Sequence, residues 1–135
     1  MYDRTSLSRA AENGHEGIAK LLLGRKDVNP DTPDTRYSRT PLWLAAKNGH
    51  EGIVKLLLRR EDVNPDTPDT LFGRTPLSWA AENGHEGIVK LLLGRKDVNP
   101  DSLDRFYGTP LTLAAGNGHN RVVELLRARH SRSIR

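Results

Sequence analysis

Apolar positions along the chain fall into short helical registers. In Thr40-Pro-Leu-Trp-Leu-Ala-Ala-Lys-Asn-Gly-His50, Leu42, Ala45 and Ala46 share one face at the three- and four-residue spacing of an α-helix. Thr40 stands where an N-cap is needed, and Pro41 takes the first helical position, where its missing N–H costs nothing. The helix is predicted to stop at Asn48-Gly49, because glycine readily takes the left-handed conformation that closes a helix. A second run, Ile53, Val54, Leu56, Leu57 and Leu58, is apolar around most of its girth and predicts a helix buried against several neighbours. Residues 62–69, Asp-Val-Asn-Pro-Asp-Thr-Pro-Asp, hold prolines and Asx residues without helical period, so they predict a projecting turn.

The pattern repeats. It begins again at Thr5, Thr40, Thr75 and Thr109, at offsets of 35, 35 and 34 residues. A unit this small cannot shelter its own apolar faces, so in-phase copies predict a stack rather than a closed globule. Thr-Pro-Leu-x-x-Ala-Ala-x-x-Gly-His, then Ile-Val-x-Leu-Leu-Leu and Asp-Val-Asn, resembles the ankyrin repeat from about Thr5 to Leu126. The Asn-Gly-His-Glu-Gly-Ile-Val-Lys-Leu-Leu-Leu run resembles arrays common in large fungal proteins. The resemblance implies an all-α solenoid of four antiparallel helix pairs with projecting β-turn fingers. It also implies that partners bind the concave face formed by fingers and inner helices.

On that reading the repeats cover approximately residues 1–35, 36–70, 71–104 and 105–128, and residues 129–135 form a basic tail. Some positions depart from the family pattern. Its usual histidine after Thr-Pro-Leu is replaced by Ser8, Trp43, Ser78 or Thr112, and the fingers are longer than a 33-residue period allows. The end units are more polar. Arg9 stands where the others carry Leu44, Trp79 and Leu113, and Asn120, Arg121 and Arg127 enter the last unit. That polarity suits the two ends of a stack, and equally a fragment of a longer array.

Composition narrows the picture. With 36% hydrophobic and 28% charged residues the chain is of the soluble globular class. No apolar run approaches the ~20 residues of a membrane span, and Met1 to Arg9 hold no apolar signal region. Having no cysteine, the chain has no disulfide, thiolate nucleophile or Cys-ligated zinc. An intracellular location, cytoplasmic or nuclear, is expected. The net charge of +4 sits at one end: five arginines and Glu124 fall after residue 120, which leaves residues 1–120 neutral.

Candidate chemistry is sparse. His15, His50, His85 and His119 stand one repeat apart, ~10 Å in a helical stack, too far to converge on one ion. They are expected to bond the turn backbone instead. Asp62, Asn64 and Asp66 have the opening spacing of an EF-hand loop, but Thr67 and Gly73 stand where that loop needs glycine and glutamate. An Asx-stabilised turn is expected there. Asp66 and Asp69 read as carboxylates on a solvated loop, with nothing to raise a pKa. No nucleophile elbow or phosphate loop is present. Neither catalysis nor a metal or cofactor is expected.

The binding face is the sharper candidate. Residues 5–31 and 75–101 differ at only three of 27 positions, whereas the finger ends vary between units. Each finger end pairs aromatics with arginine, residue types that anchor interfaces. The predicted partner-binding set is Arg36, Tyr37, Arg39, Trp43, Lys47, Leu71, Phe72, Arg74, Ser78, Glu82, Arg105, Phe106 and Tyr107. Trp43 is expected to project into the groove, and Trp79, aligned with Leu44 and Leu113, to belong to the core. Phe72 and Phe106 could equally pack on the next finger. The Asp series 31, 34, 66, 69, 101 and 104 suggests a basic partner, or simply turn geometry. The expected function is a monomeric protein–protein interaction module or scaffold. The alternatives are a structural spacer in a larger protein and nucleic-acid association through the arginine tail. Against nucleic acid stand the missing interleaved aromatics and the Asp residues of each finger.

Overall fold

A computed structural model describes residues 4–133, with side chains as far as Arg129. It contains four helix pairs: α1 (Ser6–Asn13) with α2 (Glu16–Leu23), α3 (Pro41–Asn48) with α4 (Glu51–Leu58), α5 (Pro76–Glu82) with α6 (Glu86–Leu93), and α7 (Pro110–Gly116) with α8 (Asn120–Ser133). Among the described residues there is no strand.

Local chemistry fixes where each first helix begins and ends. The hydroxyls of Thr5, Thr40, Thr75 and Thr109 accept from the N–H three residues on, and proline opens α3, α5 and α7. Gly14, Gly49, Gly84 and Gly118 close them at φ of 77°, 80°, 72° and 75°, the left-handed region in which other residues are strained. The chain then reverses into the second helix of the pair.

The helices form two rows. α1, α3, α5 and α7 pack in sequence, as do α2, α4, α6 and α8, and each pair is also packed internally. The alanines expected to let helices approach do so: Ala11, Ala46 and Ala81 are fully buried. Between the rows lie Leu42, Leu44, Ile53, Val54, Leu57, Leu77, Ile88, Val89 and Leu92, forming one continuous core. Burying this apolar surface between repeats is the main stabilisation, since no repeat encloses a core alone.

At the C-terminal end α8 continues past Ala128 to Ser133, so the basic segment starts as helix. Arg129 donates to the carbonyls of Leu93 and Val98 and belongs to the stack. Arg132 and Arg135 lie outside the described side chains.

Candidate functional site

The fingers are built around buried carboxylates. Asp34 Oδ1 accepts from the N–H groups of Tyr37 and Arg39 at 3.1 and 3.0 Å. Asp69 Oδ1 accepts from Phe72 at 2.6 Å, and Asp104 Oδ1 from Phe106 and Gly108 at 2.8 Å each. Each finger is closed by a backbone bond from the same aspartate to the carbonyl of Arg39, Arg74 or Gly108. Adjacent fingers are tied by backbone bonds, Thr70 N–H to the Tyr37 carbonyl and Arg105 N–H to the Phe72 carbonyl, both 2.9 Å.

This corrects the reading of these aspartates as solvated. Asp34, Asp69 and Asp104 are all buried. Burial pushes the Asp34 carboxyl upward, but the N–H groups of Arg39 and Tyr37 and the Arg39 guanidinium outweigh it, holding the pKa below its ordinary value. At Asp104 burial is likewise outweighed by Gly108, Phe106 and the Arg74 guanidinium. Asp66 is also desolvated: burial raises its pKa against the opposing bond from the Asn99 N–H. The Asx turns are present as expected, with Asn64 Oδ1 accepting from Asp66 N–H at 3.0 Å.

Where the first and second fingers meet α3 and α5, a cleft of about 180 Å³ opens, lined by Tyr37, Arg39, Trp43, Lys47, Asp69, Leu71, Phe72 and Trp79. Its aromatic wall is continuous. The Trp43 and Trp79 rings meet edge to face at 5.7 Å, Phe72 meets Trp79 at 6.0 Å, and Phe106 lies 6.3 Å beyond Phe72. Cations crown it. Arg74 lies 4.6 Å from the Trp79 ring centre and Arg39 5.6 Å from Tyr37. Lys47 Nζ stands 5.8 Å from Trp43 and 5.0 Å from Trp79.

Both tryptophans line the cleft, Trp43 as a buried core residue and Trp79 as a partly buried one packed against the core. Trp43 is only 5% exposed and forms the floor, its indole N–H donating to Asp69 Oδ2 at 3.0 Å and to the Arg74 carbonyl at 3.1 Å. Trp79 is half-buried, packs against the core and lines the wall. Ser8 and Ser78, at the position of Trp43 in their own repeats, are also buried. Ser78 is therefore no contact residue: it is 1% exposed and bonds the Thr75 hydroxyl.

The other predicted residues divide. Tyr37, Arg39, Lys47, Leu71 and Phe72 line the cleft with the two tryptophans. Arg74 pairs with Glu82 at 2.6 Å and Asp104 at 3.1 Å, so both Arg74 and Glu82 are engaged within the chain. Phe106 and Tyr107 are exposed beyond it, Tyr107 at 83%. Arg36 lies over the adjacent Tyr37 ring of its own finger, and Arg105 is exposed beside Phe106.

The histidines bond backbone, as expected, but across repeats. Nε2 of His50, His85 and His119 contacts the carbonyls of Glu12, Lys47 and Glu82 at 3.0, 3.2 and 2.9 Å. Among the described residues no three His, Asp or Glu side chains converge as a metal site requires. No helix among them is long and apolar enough to cross a membrane. Two of the five terminal arginines are held internally, Arg121 by Glu86 and Glu124, and Arg129 by backbone carbonyls.

Two features had no counterpart in the sequence reading. Arg60 and Arg95 reach back to carbonyls of the preceding repeat, a role signalled only by an arginine recurring before Asp-Val-Asn. The buried aspartates recur as Thr-Pro-Asp or Ser-Leu-Asp, which does not by itself separate a buried cap from a solvated turn.

The ankyrin repeats family model (three copies) matches residues 7–104 and 52–134. The chain belongs to the ankyrin-repeat family, whose members generally serve as protein–protein interaction modules. No curated protein matches the chain.

Proposed function

We propose that the chain acts, as a monomer inside the cell, as a non-catalytic module that binds a protein segment in the cleft between the first and second fingers. Lys47 carries the reading. It stands over two indoles, and among the described residues no carboxylate pairs with it, whereas Arg39 and Arg74 are both neutralised. The aromatic wall offers burial to one large apolar side chain. Beside it the uncompensated ammonium favours a carboxylate. The ring faces already carry cations, so a basic or quaternary-ammonium ligand is disfavoured. A partner segment therefore presents an aromatic or large aliphatic anchor next to Asp or Glu. The basic partner suggested by the Asp series has no support here, because Asp34, Asp69 and Asp104 face inward.

Selection of random peptides displayed against the full chain tests this. Enrichment of apolar-acidic motifs is expected, with about tenfold weaker binding to a Lys47→Glu variant, or about 1.4 kcal/mol. Enriched basic motifs, or binding indifferent to Lys47→Glu, would refute it.

A further inference from the structure

The first two joints of the stack are closed by the same contacts, and the third keeps the histidine bond and an arginine, Arg129, on backbone carbonyls. The histidine opening each second helix bonds a carbonyl of the repeat before it, and its ring fills the space over that repeat's Gly14, Gly49 or Gly84. Gly52 and Gly87 lie under Glu16 and Glu51 of the preceding second helix. Arg60 donates to the Leu23 and Arg25 carbonyls at 3.4 and 3.3 Å, and Arg95 to those of Arg60 and Val63 at 3.3 and 3.0 Å. The N–H groups of Asn64 and Asn99 donate to Asp31 and Asp66 of the preceding finger at 2.7 and 2.8 Å.

Among the described residues, the outer face of the first repeat carries the same groups with nothing on them. The His15 ring is exposed and, among the described residues, bonds no carbonyl, and nothing lies within 4 Å of a side chain placed at Gly17. Arg25 is 65% exposed and holds only Asp27 of its own turn. No carboxylate reaches the Asn29 N–H. Apolar groups are bare as well. Ile18 is 51% exposed, against 1% for Ile53 and 2% for Ile88 and Val122. Leu21 is 77% exposed where Leu56 and Leu91 are half-buried. An open cleft beside them is lined by Leu7, Leu22 and Val28.

The opposite end is finished differently. Arg127 is exposed where the other second helices carry Leu23, Leu58 and Leu93, which pack against the core. The first repeat keeps the joint residues intact, the chemistry of an interface and not of a solvated end.

The unfilled groups also define what would fill them. His15 and Arg25 need backbone carbonyls, Gly17 a carboxylate side chain, the Asn29 N–H a second carboxylate, and Ile18 and Leu21 apolar cover. A second copy's last repeat supplies too little: α8 runs on as helix where a finger would bring that second carboxylate. Repeats 1 and 2 of this chain supply all of it to their successors. We propose that this face is the docking surface for a further ankyrin repeat, joined ahead of Thr5, whose finger carries an aspartate in the place of Asp31.

The test copies residues 40–74 ahead of Thr5 in place of residues 1–4 and compares urea unfolding of the parent and extended chains, each with and without Ile18→Asp. The extended chain is expected to unfold in one transition at a higher midpoint. Ile18→Asp should leave the parent midpoint unchanged and remove most of the gain, and Arg25→Ala should act in the same direction. A separate lower transition for the added repeat, no gain, or a gain indifferent to both substitutions would overturn the proposal. Concentration-dependent self-association of the parent, abolished by Ile18→Asp in sedimentation, would overturn it in favour of a second copy.

Discussion

The indole N–H of Trp43 donates to Asp69 Oδ2 at 3.0 Å, joining a helix of the second repeat to the finger that enters the third. The same aspartate carboxylate orders its own finger through the Phe72 N–H at 2.6 Å. One side chain thus sets both the floor and the rim of the cleft, and the geometry of the candidate site follows from how the repeats are joined.

Trp43 is therefore a stability residue first. Trp43→Ala should cost about 3–5 kcal/mol by emptying a buried aromatic site. Trp43→Phe, which removes the bond and weakens the satisfaction of Asp69, should cost about 1–3 kcal/mol. Trp79→Ala, on the open side, should cost less than Trp43→Ala and lower peptide affinity more than stability. Urea unfolding and peptide titration of the three variants separate these effects.

Equivalent histidines should behave unequally. His50→Ala and His85→Ala lose a bond to the preceding repeat and a ring that fills space, and each should destabilise by about 1–2 kcal/mol. His15→Ala, with no such partner, should change the urea midpoint by no more than a surface substitution does. Equal costs at all three positions would show that the joints do not depend on this contact.

The arginines before Asp-Val-Asn give a parallel comparison. Arg95 donates to the carbonyls of Leu58, Arg60 and Val63, while Arg25 holds only Asp27. Arg95→Ala should cost about 1.5–3 kcal/mol, the range for hydrogen bonds from a charged group. Arg25→Ala should be near neutral. Thermal or urea denaturation of the two variants reads the difference.

The buried carboxylates predict a divided acid response. Asp34 and Asp104 have folded pKa values below the ordinary 3.8, so their contribution is present above pH 3.8 and lost as pH falls through the lower folded value. Asp31 and Asp66 are raised above 3.8, chiefly by burial. Their contribution is present below pH 3.8 and lost as pH rises through the folded value. NMR titration of the four carboxyls should place Asp31 and Asp66 above Asp34 and Asp104. The reverse order would contradict the burial described here.

Much of this architecture is legible in the chain itself. Thr-Pro and Asn-Gly mark the ends of each first helix because capping and left-handed closure are local chemistry. The Ala-Ala and Ile-Val-x-Leu-Leu-Leu faces reveal the stack because their period is helical. Legibility stops where a role depends on the neighbouring repeat. Trp43 and Trp79 are adjacent columns of the repeat, and which one is covered depends on where the next finger descends. Asp69 reads as a turn residue until Trp43 and its own loop enclose it. Arg60 and Arg95 look like solvated helix-end cations, yet their acceptors lie more than thirty residues earlier in the chain.

The most direct measurement is a backbone and indole N–H NMR titration of the full chain with a selected apolar-acidic peptide. The account predicts that the shifts concentrate at the Trp79 indole and the amides of Tyr37, Lys47, Leu71 and Phe72, while α2, α4 and α6 stay unmoved. Shifts centred on those outer helices, with the Trp79 indole unchanged, would contradict it.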